Sequence, residues 1–203
     1  MSNAQKSFLI KGNSMSGKDI LPKGLRDRGI RLNSYGAGEE LRALLKARKT
    51  RRRICSETIS KGGLVSDELI GHLVSERLRR IGNELPFFGI GLTRTVSQVG
   101  MILRILNENG FEPPTLIHLN YSIDYCRERY LDRLEEGVDR PDNERKVCER
   151  RWREYAETEQ AILYEFLSYG LRIYTISDHD KFDHIDRYAK DLGLLDRANQ
   201  IAV

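Results

Sequence analysis

The chain has 203 residues, 39% hydrophobic, 8% aromatic and 32% charged, with 34 Lys plus Arg against 30 Asp plus Glu and a net charge of +4. That balance fits one globular domain, excludes disorder and collagen-like repetition, and is too mild to declare a nucleic-acid binder on its own. There is no run near the ~20 apolar residues of a bilayer-spanning helix, no charged-then-apolar leader, and no metal-ligand spacing among Cys55, Cys126 and Cys148. A cytoplasmic protein is therefore expected, with no disulfide framework, zinc site or membrane partner.

The first apolar run, Ser7 to Lys11, predicts a strand. Gly12-Asn13-Ser14-Met15-Ser16-Gly17-Lys18 follows directly, and the residues after it, to Arg28, predict a helix. Two glycines five apart and then lysine, at a strand-to-helix turn, allow backbone N–H groups to converge on phosphate oxygens. The helix N-terminus adds partial positive charge there, and the lysine a full one. The plain alternative is a glycine-rich turn without a ligand. Asp19 stands where such loops usually carry the Ser or Thr that ligates magnesium. It either points away as a first-turn helix residue, or it weakens nucleotide binding, or it holds the ion itself.

Ile30 to Asn33 predicts the second strand, and residues 34 to 84 a long helical connection. Within it, Ser66-Asp67-Glu68 is a helix start before Leu69, Leu73, Val74 and Leu78. Leu85 to Ile90, Thr115 to Asn120 (entered through Pro113-Pro114) and Arg172 to Ser177 predict three further strands, and Asp124 opens a helix through Leu131 and Leu134. Short apolar runs without clean alternation suit strands buried on both faces. Five β-then-α units imply a three-layer, doubly wound α/β fold around a five-stranded parallel sheet. Several remaining features read as structure. The four histidines form no ligand or triad arrangement, with His118 a hydrogen-bonded core residue; Trp152 reads as packing. Arg48-Lys49-Thr50-Arg51-Arg52-Arg53 reads as a solvated helix face, with RNA contact the weaker alternative.

These motifs, in this order, resemble the adenylate kinase family of nucleoside monophosphate kinases from Ser7 to about Ser177. After the glycine loop, Ser34-Tyr35-Gly36-Ala37-Gly38-Glu39-Glu40-Leu41-Arg42 is similar to the family's second motif. Gly62-Gly63-Leu64-Val65-Ser66-Asp67-Glu68 is similar to its third, and Ile90-Gly91-Leu92-Thr93-Arg94-Thr95-Val96-Ser97-Gln98 to its fourth, with Ile90 where the family has an aspartate. Arg129 and Arg133 resemble the pair before the family's lid; Arg140 and Arg151 resemble the arginines after a short one.

The resemblance implies the P-loop nucleoside triphosphate hydrolase type of fold in a single domain spanning 1–203. It divides into a core of 5–33, 65–133 and 142–195, a monophosphate-binding lobe of 34–64 and a short lid of 134–141. It implies ATP held by Gly12, Asn13, Ser14, Met15, Ser16, Gly17, Lys18 and Asp19. AMP would be held by Arg42, Leu64, Val65, Gly91, Arg94 and Gln98, with the Gln98 amide on the adenine edge. Lys18, Arg94, Arg129, Arg133, Arg140 and Arg151 would surround the transferred group. The implied reaction is phosphoryl transfer from ATP to a nucleoside monophosphate, AMP first, with Mg2+ as cofactor, by a monomer that binds no nucleic acid. Because an aspartate and a hydroxyl are replaced near the metal, a catalytically impaired nucleotide-binding module acting through a partner is the alternative.

Overall fold

The structure, a computed structural model, describes residues 4–38, 40–41, 65–137, 144–177 and 184–195. Its elements run β1 (Ser7–Gly12), α1 (Ile20–Asp27), β2 (Asn33–Tyr35), α2 (Asp67–Ile81), β3 (Phe87–Ile90), α3 (Val96–Glu108), β4 (Thr115–Asn120), α4 (Ile123–Glu135), α5 (Arg145–Ser168), β5 (Ile173–Ser177) and α6 (Ile185–Asp191). The five strands form one parallel sheet in the order β2-β3-β1-β4-β5. β1 is thus the centre, with β3 and β4 paired to its two edges. In open α/β sheets the crevice beyond the strand C-termini at such a reversal is where ligands bind.

Both faces of the sheet are buried, which is why the strands lack alternation. Phe8, Ile10, Ile117 and Leu119 pack into one core with Leu21 and Leu25 of α1, Cys126 and Tyr130 of α4, and Tyr188 of α6. Leu9, Phe87 and Leu116 face a second core with Leu73, Val74 and Leu78 of α2 and Val99, Ile102 and Leu106 of α3. The 24-residue α5 belongs to both: Cys148 and Trp152 enter the first core, Ile162 and Phe166 the second. Among the described residues no helix is long and apolar enough to cross a membrane.

Local chemistry sets the helix starts. The hydroxyls of Ser66, Thr95 and Ser122 accept from the N–H groups of Leu69, Gln98 and Tyr125, capping α2, α3 and α4. The second strand departs from expectation: Ile30 and Leu32 precede the sheet, and β2 is Asn33–Tyr35 rather than Ile30–Asn33. Gly29, at φ +79°, reverses the chain after α1, and its N–H and that of Ile30 donate to Arg26 O and Leu25 O. The two apolar side chains then plug the first core, and the strand begins only where Asn33 N–H reaches Pro86 O at 2.8 Å. β3 starts at Phe87 rather than Leu85 because Pro86 has no N–H to give the ladder.

If Ile30 is a core plug, Ile30→Ala costs about 2–5 kcal/mol in urea unfolding, as for other large-to-small core changes. The exposed neighbour should be insensitive, Arg31→Ala falling within about 0.5 kcal/mol of the parent chain.

Candidate functional site

The turn between β1 and α1 is held tightly. Ser14 N–H donates to Asn13 Oδ1 at 2.8 Å and Ser16 N–H to Asn13 O at 3.3 Å, while Trp152 Nε1 of α5 donates to Ser14 O at 3.1 Å. Met15 sits at φ +69°, a conformation few side-chain-bearing residues adopt, and Gly17 at +73°. Gly12 is required for packing: a Cβ there would lie 2.6 Å from Ser16 Oγ and 2.8 Å from Leu119 Cβ. The Ser14 and Ser16 amides are thus consumed inside the loop. Among the described residues no acceptor takes the N–H of Met15, Gly17, Lys18 or Asp19, and all four line one cavity. Unpaired amides gathered at a helix N-terminus favour an anion.

That cavity, of about 610 Å³, opens at the C-terminal edge of the sheet. It brings together Gly12, Ser14, Met15, Gly17, Lys18 and Asp19 from the loop, Gly91 and Arg94 after β3, Arg133 of α4 and Arg151 of α5. Asn13 and Ser16 are buried within the loop behind it. Val65 packs against the second core, and Arg129 lies one turn from Arg133 on α4 but off the cavity wall. Arg42, Leu64 and Arg140 lie outside the described residues, as do most of 34–64 and part of the lid 134–141.

Gln98, which the resemblance assigns to an adenine edge, has both amide atoms engaged within the protein. Its Oε1 accepts from Arg94 N at 2.7 Å and its Nε2 donates to Asp67 Oδ1 at 2.8 Å. Only 2% exposed, it ties α2 to the backbone that carries Arg94. Trp152 packs, as its burial predicts, edge-on to Tyr130. His118 is hydrogen-bonded core, its Nε2 2.7 Å from Glu159 Oε1.

The cavity also holds residues the motifs did not reveal. Among the described residues eight cationic side chains line it against four carboxylates, the unforeseen cations being Lys11, Arg26, Arg77 and Arg80. Three of the carboxylates have protein partners: Glu40 accepts from Tyr35 OH at 2.6 Å, Glu76 is held by Arg80, and Glu154 lies 3.4 Å from Arg150 Nε. The wall is therefore net positive. Lys18 Nζ folds back onto the loop, donating to Asn13 O at 2.5 Å and Gly12 O at 3.0 Å. Burial, then the Arg94 charge, pull its pKa down to about 7. Burial lowers Lys11 to about 8, against an opposing pull from Glu159. Burial alone would push the Glu159 carboxyl up, yet hydrogen bonds from His118 and Tyr155 hold it below its usual range. Lys11 left one sequence signal, a charge directly after Phe8-Leu9-Ile10 and just before the glycine loop.

No protein-family model matches the chain. Curated relatives do. An adenylate kinase of Chelativorans sp. is 26% identical over 176 residues, covering 83% of this chain and 88% of the relative. One of Rhizobium meliloti is 29% identical over 156 residues, covering 74% of this chain and 80% of the relative. One of Parabacteroides distasonis is 30% identical over 105 residues, covering 50% of this chain and 54% of that relative, so this match spans about half its length.

The two lysines fix a pH dependence. Unfolded, each holds its proton up to the ordinary lysine value of 10.5, whereas folded they release it near 8 and 7. Between those limits the unfolded chain binds more protons, so stability rises with pH, and below pH 7 these groups contribute no slope. Urea midpoints should climb from about pH 7 to about pH 9, and the rise should flatten in Lys11→Met/Lys18→Met. An equal slope in the double variant would exclude the lysines as its source.

Proposed function

Because the chain is adenylate kinase-like over most of its length, we propose that it is a nucleoside monophosphate kinase that transfers the terminal phosphoryl group of ATP to a monophosphate, AMP first among acceptors. One observation carries the reading. The unpaired amides of the glycine loop, Lys18, Arg94, Arg133 and Arg151 come from four separate parts of the chain and line the same cavity at the end of β1.

In this reading an oxygen of the acceptor's phosphate forms the new bond to the terminal phosphorus. The bond from that phosphorus to the bridging oxygen breaks, and two diphosphates leave. The protein contributes alignment and positive charge. The loop amides hold the polyphosphate, and Lys18 exchanges its loop carbonyls for phosphoryl oxygens. Arg133 and Arg151 approach from the helical wall, and Arg94 orients the acceptor from a backbone that Gln98 fixes.

Magnesium, which the resemblance implies, fits this donor set poorly. Among the described residues no three His, Cys, Asp or Glu side chains gather, and Ile90 lines the cavity where the family motif has its aspartate. Asp19, exposed at the α1 N-terminus, remains as the one lining carboxylate without a hydrogen bond or ion pair among the described residues. No step of this reading is routed through the ion. These same features, with the engaged Gln98 amide, favour the second reading, a nucleotide-binding module with little turnover.

A coupled assay with ATP, magnesium and each nucleoside monophosphate, beside Lys18→Ala, separates the two. The kinase predicts turnover with at least one monophosphate that drops about 100-fold or more in the variant. Saturable ATP binding without turnover selects the module; absence of both removes the phosphate-loop assignment.

A further inference from the structure

Lys11 is the least expected member of the cavity. It occupies the next-to-last position of β1, in register with His118 of β4, and is only 4% exposed. Its Nζ lies 4.6 Å from the centre of the Tyr155 ring. Among the described residues no oxygen accepts a hydrogen bond from it. Glu159, the carboxylate that acts on it electrostatically, is already taken up by His118 Nε2 at 2.7 Å and Tyr155 OH at 2.5 Å. Lys18 differs, since its ammonium has two carbonyl partners. Lys11 therefore presents three unused donors on a charged group, more than nine-tenths buried, at a wall shared with the loop amides and Arg94. Those are the requirements for meeting an anion.

We propose that Lys11 is a ligand of the phosphoryl oxygens of the bound nucleotide. It would neutralise from the floor of the sheet part of the charge for which the described residues gather few carboxylates to hold a divalent cation. The inference rests on the phosphoryl-transfer reading in taking the ligand to be a polyphosphate. Tyr155 positions the ammonium by its ring, and Glu159, fixed by His118 and the Tyr155 hydroxyl, keeps that ring in place. Arg94, whose charge acts on both Lys11 and Lys18, faces the same anion from the β3 side.

Titration calorimetry at about pH 7.5, with ATP and with inorganic tripolyphosphate, in EDTA and again in magnesium, tests this on the wild type, Lys11→Met, Lys11→Arg and Lys18→Ala. Loss of one charge-assisted contact predicts that Lys11→Met binds both ligands about tenfold or more weakly in EDTA. Lys11→Arg should recover most of that loss. A purely structural role would not change the ratio of ATP affinities with and without magnesium, whereas a phosphate ligand predicts a larger ratio in Lys11→Met. Circular dichroism checks folding, and Lys11→Gln takes the place of Lys11→Met if the latter is unfolded. Affinities for both ligands within about twofold of wild type in the folded neutral variant would overturn the assignment of Lys11. If Lys18→Ala still loses binding in that case, the phosphate-loop reading survives without it. If the wild type binds neither ligand, both fall.

Discussion

Positive charge held at the end of a parallel sheet is the constraint on which the rest of this molecule turns. Removing an ion from water costs several kcal/mol even after local relaxation. An aromatic face under an ammonium returns about 0.5–2 kcal/mol. Lys11 over Tyr155 is therefore not compensated by the ring alone, and the opposing charge of Glu159 is shared with His118 and Tyr155. Lys18 and Arg94 add like charge to the same space. An arrangement of this kind costs stability in the unliganded chain, and under the proposed function an entering polyphosphate would offset that cost. Burial first, and the Arg94 charge as a lesser cause, lower both lysine pKa values.

Helix α5 turns this electrostatic arrangement into a defined shape. Over little more than two turns it presents Arg151 to the cavity, Trp152 to the Ser14 carbonyl, Tyr155 to Lys11 and Glu159 to His118, before Ile162 and Phe166 anchor it in the second core. The i, i+4 spacing of Tyr155 and Glu159 places both on one helix face against the C-terminal halves of β1 and β4. The loop conformation, with Met15 at positive φ, is thus braced from outside its own segment by the Trp152 hydrogen bond. Packing in both sheet layers and placement of the charged groups are consequently linked through one element.

What the sequence disclosed follows from the range of each signal. Thr115–Asn120 and the glycine loop were legible because burial on both faces and a strand-to-helix turn leave local marks. Ile30 and Leu32 carried the same apolar mark for another reason: they plug the end of α1, and periodicity cannot distinguish a plug from a strand. The motif order indicated Arg94, Arg133 and Arg151, while the one-turn spacing of Arg129 and Arg133 could not tell which of the two reaches the cavity. Gln98 shows the limit more sharply. A matching residue at a matching position was legible, but the side chains that would engage its amide were not, since Asp67 is 31 residues away in sequence.

The departures from the family pattern form a coherent set once they are placed in space. Ile10 and Ile90 are register partners on β1 and β3, so the position where the resemblance calls for an aspartate adjoins the strand that carries Lys11 one residue later. Losing a carboxylate there and presenting an ammonium nearby change the local charge in the same direction, by about two units at neutral pH if both groups are ionised. A site relying on a metal held by that aspartate would be weakened by either change. A site that meets polyphosphate with its own cations is strengthened by both, because each removes repulsion or adds attraction for the same anion. Asp19 is consistent with this distribution. At the N-terminus of α1 its charge is favoured by the helix dipole, and it lies at the exposed rim while Lys11 lies deep inside. With Ile90 in place of an aspartate and Lys11 buried one residue beyond its register partner, this end of the cavity carries positive charge supplied by the chain itself.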